Sequence, residues 1–122
     1  MAFLLVCLGA AVGAPARYLL DRAVQSRHTT GMPWGTLTVN ATGSLVLGVL
    51  TGLAVHGQLS EAVSLSVGTG FCGALTTWST LSHDTLRLYE AGALPAAVAN
   101  VALNLAVGLA AASVGYAAAA AV

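Results

Sequence analysis

Four long apolar runs constrain this chain more than any other feature of its sequence. They cover residues 2–20, 34–55, 62–82 and 94–122. A helix rises about 1.5 Å per residue and needs about 20 apolar residues to cross the hydrocarbon core of a bilayer, so each run can form one span. Charged residues make up only 7% of the chain, too few to solvate the surface of a soluble domain. The sequence therefore predicts an all-α membrane protein, a single domain over residues 1–122 with four transmembrane helices.

The sparse charge also excludes several classes of function. The net charge is zero and no lysine is present, so the basic footprint that nucleic-acid binding requires is missing. No nucleophile, base and orienting group occur together, and no pair of carboxylates lies inside a run, so the sequence does not predict an enzyme. Cys7 and Cys72 lie inside apolar runs without metal-ligand spacing, which favours small packing residues.

The order of the runs gives a predicted topology. The first run lacks a positively charged segment before it and three further runs follow, so we interpret it as a retained span rather than a signal peptide. The first and third connections lie on one side of the membrane, and they carry Arg22, Arg27 and Arg87, whereas the second connection carries no arginine. The positive-inside rule then places both termini outside a cell membrane.

Polar residues in the second run are the first candidates for function. Thr36, Asn40 and Ser44 share one helical face and could line a polar track. Thr38 and Thr42 point elsewhere, and a threonine hydroxyl can also bond its own helix, so both interpretations stay open for the threonines. A carboxamide carries more donors and acceptors than its own helix can satisfy, which favours a pore or interhelical role for Asn40.

The third run is rich in glycine and hydroxyl residues between Gly68 and Thr80. This composition favours an interrupted helix, whose freed carbonyls a bilayer tolerates only where they are buried, line water or bind an ion. A cation site built from carbonyls is one hypothesis. A glycine-softened but continuous helix, with its Ser and Thr side chains bonded back to the chain, is the other.

Two further features each have two interpretations, and a third has a structural interpretation only. Asn100 and Asn104 share a face of the fourth run and either pack against a neighbour or line a path. Arg17, near the end of the first run, either extends to the interface or anchors a polar vestibule. Glycines four residues apart predict close helix contacts, and they are Gly9 with Gly13 and Gly48 with Gly52.

The chain resembles the Fluc fluoride channels, also called the CrcB family, over nearly its whole length. The matching motifs lie in order at residues 13–18, 33–40, 70–80 and 100–108. The resemblance implies a dual-topology dimer of two antiparallel subunits, with third helices broken at their centres around a structural Na+. Two fluoride pathways would run along the subunit interface, and passive export of fluoride would lower its concentration in the cytoplasm.

Roles for individual residues follow from the resemblance by position. The backbone carbonyls of Gly73 and Thr76 would hold the Na+, and Asn40 would be the pore carboxamide. Thr36, Ser79 and Thr80 would form a hydroxyl track. The family usually has phenylalanine where this chain has Trp78 and Leu81, glutamate where it has Asp84, and often glycine at Ala74. The indole N–H of Trp78 could substitute as a donor, but Leu81 has no ring edge to offer an anion.

The arginine bias predicts a single orientation, whereas an antiparallel homodimer needs a chain that inserts both ways. The hypothesis is therefore that this chain requires an oppositely oriented homologous partner, so a homodimer and a heterodimer both stay open. A non-conducting or partner-dependent subunit of a two-chain channel is one alternative function. A small multidrug exporter is another, disfavoured because no span interior holds the carboxylate that such exporters use.

Overall fold

The computed structural model describes residues 1–122, and all of its regular elements are helical, as predicted. Three helices are long and apolar enough to cross a membrane by length and composition. These are α1 (Ala2–Gln25), α2 (Trp34–Val55) and α5 (Leu94–Ala120). Between α2 and α5, the chain forms a helical stretch over residues 61–75, called α3, and the helix α4 (Trp78–Glu90).

Helix α3 is not uniform along its length. It begins with the turn Glu61–Val63, widens into a π-helix over Ser64–Cys72 and ends with the turn Gly73–Leu75. Thr76 and Thr77 follow in extended conformation, with ψ values of 156° and 120°. Thr77 then caps α4, because its Oγ1 accepts a hydrogen bond from the Thr80 amide at 3.1 Å. The predicted third span, residues 62–82, thus contains an extended pair between two helices.

Helix α1 continues past the predicted end of the first span at residue 20 to Gln25. Asp21 and Arg22 therefore lie on the helix and not in the first connection. Arg22 suits the last turn, where a cation faces the negative end of the helix dipole. Its Nη1 also donates to the Tyr18 hydroxyl at 2.7 Å, one helical turn earlier. A helix need not end where its apolar run ends, because charged residues can continue it beyond the hydrocarbon core.

Helix α1 packs on α3 and helix α2 packs on α5, and glycines bring both pairs into backbone contact. A Cβ on Gly9 would overlap the Ser66 carbonyl oxygen, and one on Gly48 would overlap the Ala112 carbonyl oxygen. The close helix contacts predicted from the glycine spacing are confirmed at both pairs. Close approach matters here because helices in lipid associate through van der Waals packing and not through exclusion of water.

We predict that Gly48→Ala destabilises the protein by about 1–3 kcal/mol, because α2 and α5 must separate to admit the methyl group. The measurement is the thermal unfolding temperature in detergent. Gly108→Ala is the matched control on α5, since its Cβ would meet only the Ser44 Oγ at 3.6 Å, an ordinary contact. Equal unfolding temperatures for the two variants would contradict the prediction.

Candidate functional site

One carboxamide holds the extended pair between α3 and α4. The Thr77 amide donates to Asn40 Oδ1 at 2.7 Å, and Asn40 Nδ2 donates to the Thr77 carbonyl at 3.2 Å. In a continuous helix the Thr77 amide would instead donate to the Gly73 carbonyl, four residues earlier. Asn40 therefore satisfies both backbone polar groups of a residue that has left the helical pattern, as a low-dielectric setting requires.

Of the two carbonyls predicted to hold a cation, that of Thr76 belongs to this pair and that of Gly73 lies three residues earlier. The Thr76 carbonyl accepts no hydrogen bond within the chain. Gly73 is exposed, and a Cβ placed on it would meet nothing within 4 Å. Backbone carbonyl oxygens are hard, neutral ligands suited to alkali cations. The donor set thus fits Na+, with an unpaired oxygen at one residue and open space at the other.

Hydroxyl groups gather at the start of α4. Thr77 Oγ1 donates to Thr80 Oγ1 at 3.0 Å, and Ser79 Oγ lies 3.4 Å from Thr77 Oγ1. Ser79 is exposed and Thr80 is half-buried. A short row of hydroxyls therefore runs from the extended pair into the first turn of α4.

Thr36 and Thr80 face a common polar cavity of about 250 Å³. Thr36 is buried, and its Oγ1 donates to Asp84 Oδ2 at 2.8 Å. Arg87 lies 3.9 Å from the other oxygen of Asp84, a long and partly exposed ion pair. The remaining residues around the cavity are Asp21, Gln25, Thr30, Gly31 and Pro33. Carboxylates, an arginine and hydroxyls therefore lie together at one end of the bundle.

The second-run residues do not form one uninterrupted track. Thr36 faces the cavity, Asn40 faces Thr77, and Ser44 faces α5, with its Oγ 3.6 Å from where a Cβ on Gly108 would lie. Thr38 and Thr42 donate to the carbonyls four residues earlier on their own helix, each at 2.8 Å. For these two threonines the self-bonded interpretation is therefore the observed one.

The two positions where phenylalanine was expected differ in their surroundings. Trp78 is 70% exposed and its indole N–H donates to no group of this chain, whereas Leu81 is only 4% exposed. Both contribute to an apolar groove of about 800 Å³ between α4 and α5. The open surface at this groove therefore carries the Trp78 ring with its free N–H donor, whereas Leu81 lies mainly inside the subunit.

Arg17 is half-buried on α1 and makes no hydrogen bond or ion pair within the chain. It does not line the polar cavity, although Asp21, one turn later, does. Asn100 and Asn104 are 1% and 7% exposed, so they pack inside the subunit. The link from Asn40 to Thr77 and the bond from Thr36 to Asp84 were not predicted. The available signal was Thr77 itself, a residue type preferred at helix N-caps, which indicates that a new helix begins there but does not name Asn40 as its partner.

Comparison with known proteins identifies the family of this chain. Residues 4–116 match the model of the family described as CrcB-like protein, Camphor Resistance (CrcB). The chain belongs to the CrcB family.

Curated members of the CrcB family align with the chain almost end to end. A Streptomyces avermitilis protein is 56% identical over 94% of this chain and 93% of its own length. A Frankia casuarinae protein is 55% identical over 100% and 98%, and a Thermobifida fusca protein is 46% identical over 97% and 95%. All three are named fluoride-specific ion channel FluC 1, and none is named as an enzyme. With its apolar helices, this CrcB chain is a multi-pass membrane protein.

We predict that Thr36→Val lowers the stability of this CrcB protein by about 1–2 kcal/mol, because the partly buried Asp84 carboxylate loses a hydroxyl donor. Thermal unfolding in detergent measures the change. Thr51→Val is the control, since the exposed Thr51 hydroxyl donates only to Leu47 of its own helix, and we expect a change within about 0.5 kcal/mol. A loss no larger in Thr36→Val than in Thr51→Val would argue against a stabilising bond to Asp84.

Proposed function

We propose that this chain is a subunit of a fluoride-specific ion channel that exports fluoride passively and lowers its concentration, and hence its toxicity, in the cytoplasm. The supporting observation is the end-to-end similarity, at 55–56% identity, to proteins named fluoride-specific ion channels. Fluoride is small and strongly hydrated, so a pore must return hydrogen-bond donors as water is removed. Hydroxyl, amide and indole N–H groups do this without holding the ion on a full charge.

The channel we propose is a dimer of two antiparallel subunits, each with its third transmembrane helix interrupted at the centre by Thr76 and Thr77. Support comes from the surface of the single subunit. Gly73, Trp78 and Ser79 are exposed beside the extended pair, and an apolar groove of about 800 Å³ adjoins them. A second subunit lying across this surface would cover these groups and close a narrow path between the chains.

A structural Na+ at the centre of the dimer is part of the proposal. The carbonyls of Gly73 and Thr76 would hold it, two from each subunit. The donor set described above fits that ion, because Thr76 offers an unpaired carbonyl and Gly73 leaves room for a close approach. A bound cation would supply a positive potential that favours anions nearby.

The fluoride pathway we propose uses the hydroxyls of Thr36, Ser79 and Thr80, the indole N–H of Trp78 and the carboxamide of Asn40. Both hydrogens of Asn40 Nδ2 already donate within the chain, to the Thr77 carbonyl and to Asn104 Oδ1. Fluoride would therefore contact this amide by displacing one of those oxygens. The Trp78 indole, exposed and without an acceptor, needs no such exchange.

The subunit is proposed to lie in the cell membrane with both termini outside. Arg87 lines the same cavity as Thr30 and Gly31 of the first connection, so its end of α4 lies beside the connection that carries Arg27. The positive-inside rule makes that end cytoplasmic. A single preferred orientation favours pairing with an oppositely oriented homologous subunit over a homodimer. The alternative function, a non-conducting or partner-dependent subunit, is favoured by Leu81, which lacks a ring.

The first test is fluoride efflux from liposomes that contain the purified chain alone, under an outward gradient with a K+ shunt. A chain that can pair with itself should give fast efflux of fluoride and none of chloride. Asn40→Ser should slow the efflux, because the shorter hydroxyl replaces neither hydrogen bond to Thr77. Ser113→Ala is the control, since the exposed Ser113 hydroxyl donates only to Leu109 of its own helix. Equal efflux of chloride would contradict a fluoride-specific channel.

The second test concerns the partner. If the chain requires an oppositely oriented subunit, the folded protein alone gives no efflux. Co-reconstitution with a homologue that carries its positive charges on the opposite connections, and so inserts the other way, then restores efflux. Efflux from the chain alone would show that the partner requirement is wrong. Absence of efflux in every pairing would leave the non-conducting subunit as the better function.

A further inference from the structure

All three asparagines of the chain lie in one continuous series of hydrogen bonds. Asn40 Nδ2 donates to Asn104 Oδ1 at 3.0 Å, and Asn104 Nδ2 donates to Asn100 Oδ1 at 3.2 Å and to the Asn100 carbonyl at 2.9 Å. Asn100 Nδ2 donates to Thr85 Oγ1 at 3.0 Å. We call the series formed by Thr77, Asn40, Asn104, Asn100 and Thr85 the amide relay.

Backbone groups at its ends fix the direction of the amide relay. The Thr77 N–H can only donate, so the Asn40 atom that faces it must be oxygen. The nitrogen of Asn40 then faces Asn104, so the Asn104 atom that accepts its hydrogen bond must be oxygen. At the far end, the Asn100 and Leu81 carbonyls can only accept, and they receive Asn104 Nδ2 and Thr85 Oγ1. The donors that link successive members therefore point away from Thr77, the second Asn40 Nδ2 hydrogen returns to the Thr77 carbonyl, and no member can be reversed alone.

The amide relay joins the extended pair to helices that lie apart from it in sequence. Thr77 caps α4 and Thr85 lies about two turns along that helix, while Asn100 and Asn104 belong to α5. Both asparagines of α5 are buried, and no buried side-chain nitrogen or oxygen in the protein lacks a partner. Buried polar networks of this kind specify one arrangement, because breaking one bond leaves another group unpaired.

We propose that Asn104 and Asn100 are positioning residues that anchor the Asn40 carboxamide from α5 and so keep its oxygen on the Thr77 N–H of the extended pair. The consequence for conduction rests on the proposed channel function, whereas the hydrogen-bond consequence does not. Neither residue needs to touch the permeating ion, since both act through Asn40.

The first measurement is hydrogen exchange of the Thr77 amide, resolved by NMR in detergent. The amide should be protected in the unmodified protein. In Asn104→Ala, Asn40 Nδ2 loses the acceptor that anchors the carboxamide from α5, while Thr77 stays extended because its side chain still caps α4. The Thr77 amide should then exchange about tenfold faster, equivalent to the loss of one hydrogen bond. Ser113→Ala, on the same helix, should leave its exchange unchanged.

The second measurement uses Asn104→Asp, which keeps the size of the side chain. A carboxylate still accepts from Asn40 Nδ2 but cannot donate to the Asn100 oxygens, and only its protonated form can restore that bond. Fluoride flux relative to the unmodified protein should be about tenfold lower at neutral pH. This relative flux should rise as the pH falls. The leak measured with protein-free vesicles is subtracted from both fluxes. A ratio that does not change with pH would mean that the bond from residue 104 to the Asn100 oxygens has no part in conduction.

Other titrating groups are poorly placed to produce this pH dependence. Helix α2 carries no charged residue, and on α5 the only titratable side chain is Tyr116, which is exposed. On α4, Asp84 is bonded to Thr36, and the other groups are all exposed, namely His83, Arg87, Tyr89 and Glu90. Because these groups are shared with the unmodified protein, their effects cancel in the flux ratio.

The two measurements separate failure of this inference from failure of the proposed function. Fast exchange at Thr77 in the unmodified protein, or equal exchange in Asn104→Ala, would overturn the positioning role even if fluoride flux is present. A flat pH ratio for folded Asn104→Asp would overturn it as well. If the unmodified protein carries no flux, the exchange data still decide the amide relay, and only the proposed function fails.

Discussion

The two hydrogen bonds between Asn40 and the Thr77 peptide are the interaction on which the rest of the site depends. In a bilayer, a residue that leaves a helix must find partners for its N–H and its carbonyl, because no water is present to satisfy them. One carboxamide supplies both partners here, at 2.7 and 3.2 Å. Its presence lets the chain turn from α3 into α4 without an unpaired amide, and it leaves the neighbouring Thr76 carbonyl without an internal bond.

Close helix packing makes that arrangement possible. Asn40 reaches Thr77 and Asn104 together only because α2 lies against both the extended pair and α5. Gly48 allows the approach to α5, and Gly9 allows α1 to press on the widened helix α3. Without a hydrophobic force between helices in lipid, small residues at the contacts and buried amide bonds share the task of fixing their positions.

The polar groups of this CrcB protein divide into those used inside the subunit and those left at its surface. Asn100 and Asn104 are buried with every side-chain polar atom hydrogen-bonded, and Thr36 is bonded to Asp84. Gly73, Trp78 and Ser79 lie exposed around the extended pair. An exposed tryptophan donor beside an apolar groove is consistent with the proposed dimer, in which a second subunit would cover this surface.

The sequence by itself determined the helical class, the membrane-spanning lengths of α1, α2 and α5 and the family. Apolar run length and motif order are properties of the linear chain, and so is the glycine spacing that predicted close contacts. The sequence also marked Asn40 as a group that its own helix could not satisfy, but it could not name the partner. Only the tertiary structure decided that Thr38 and Thr42 bond their own helix, that Asn100 and Asn104 face inward, and that α1 reaches Gln25. Those outcomes depend on which helices become neighbours, and a hydrogen bond between residues 40 and 77 exists only after packing has brought them within 3 Å.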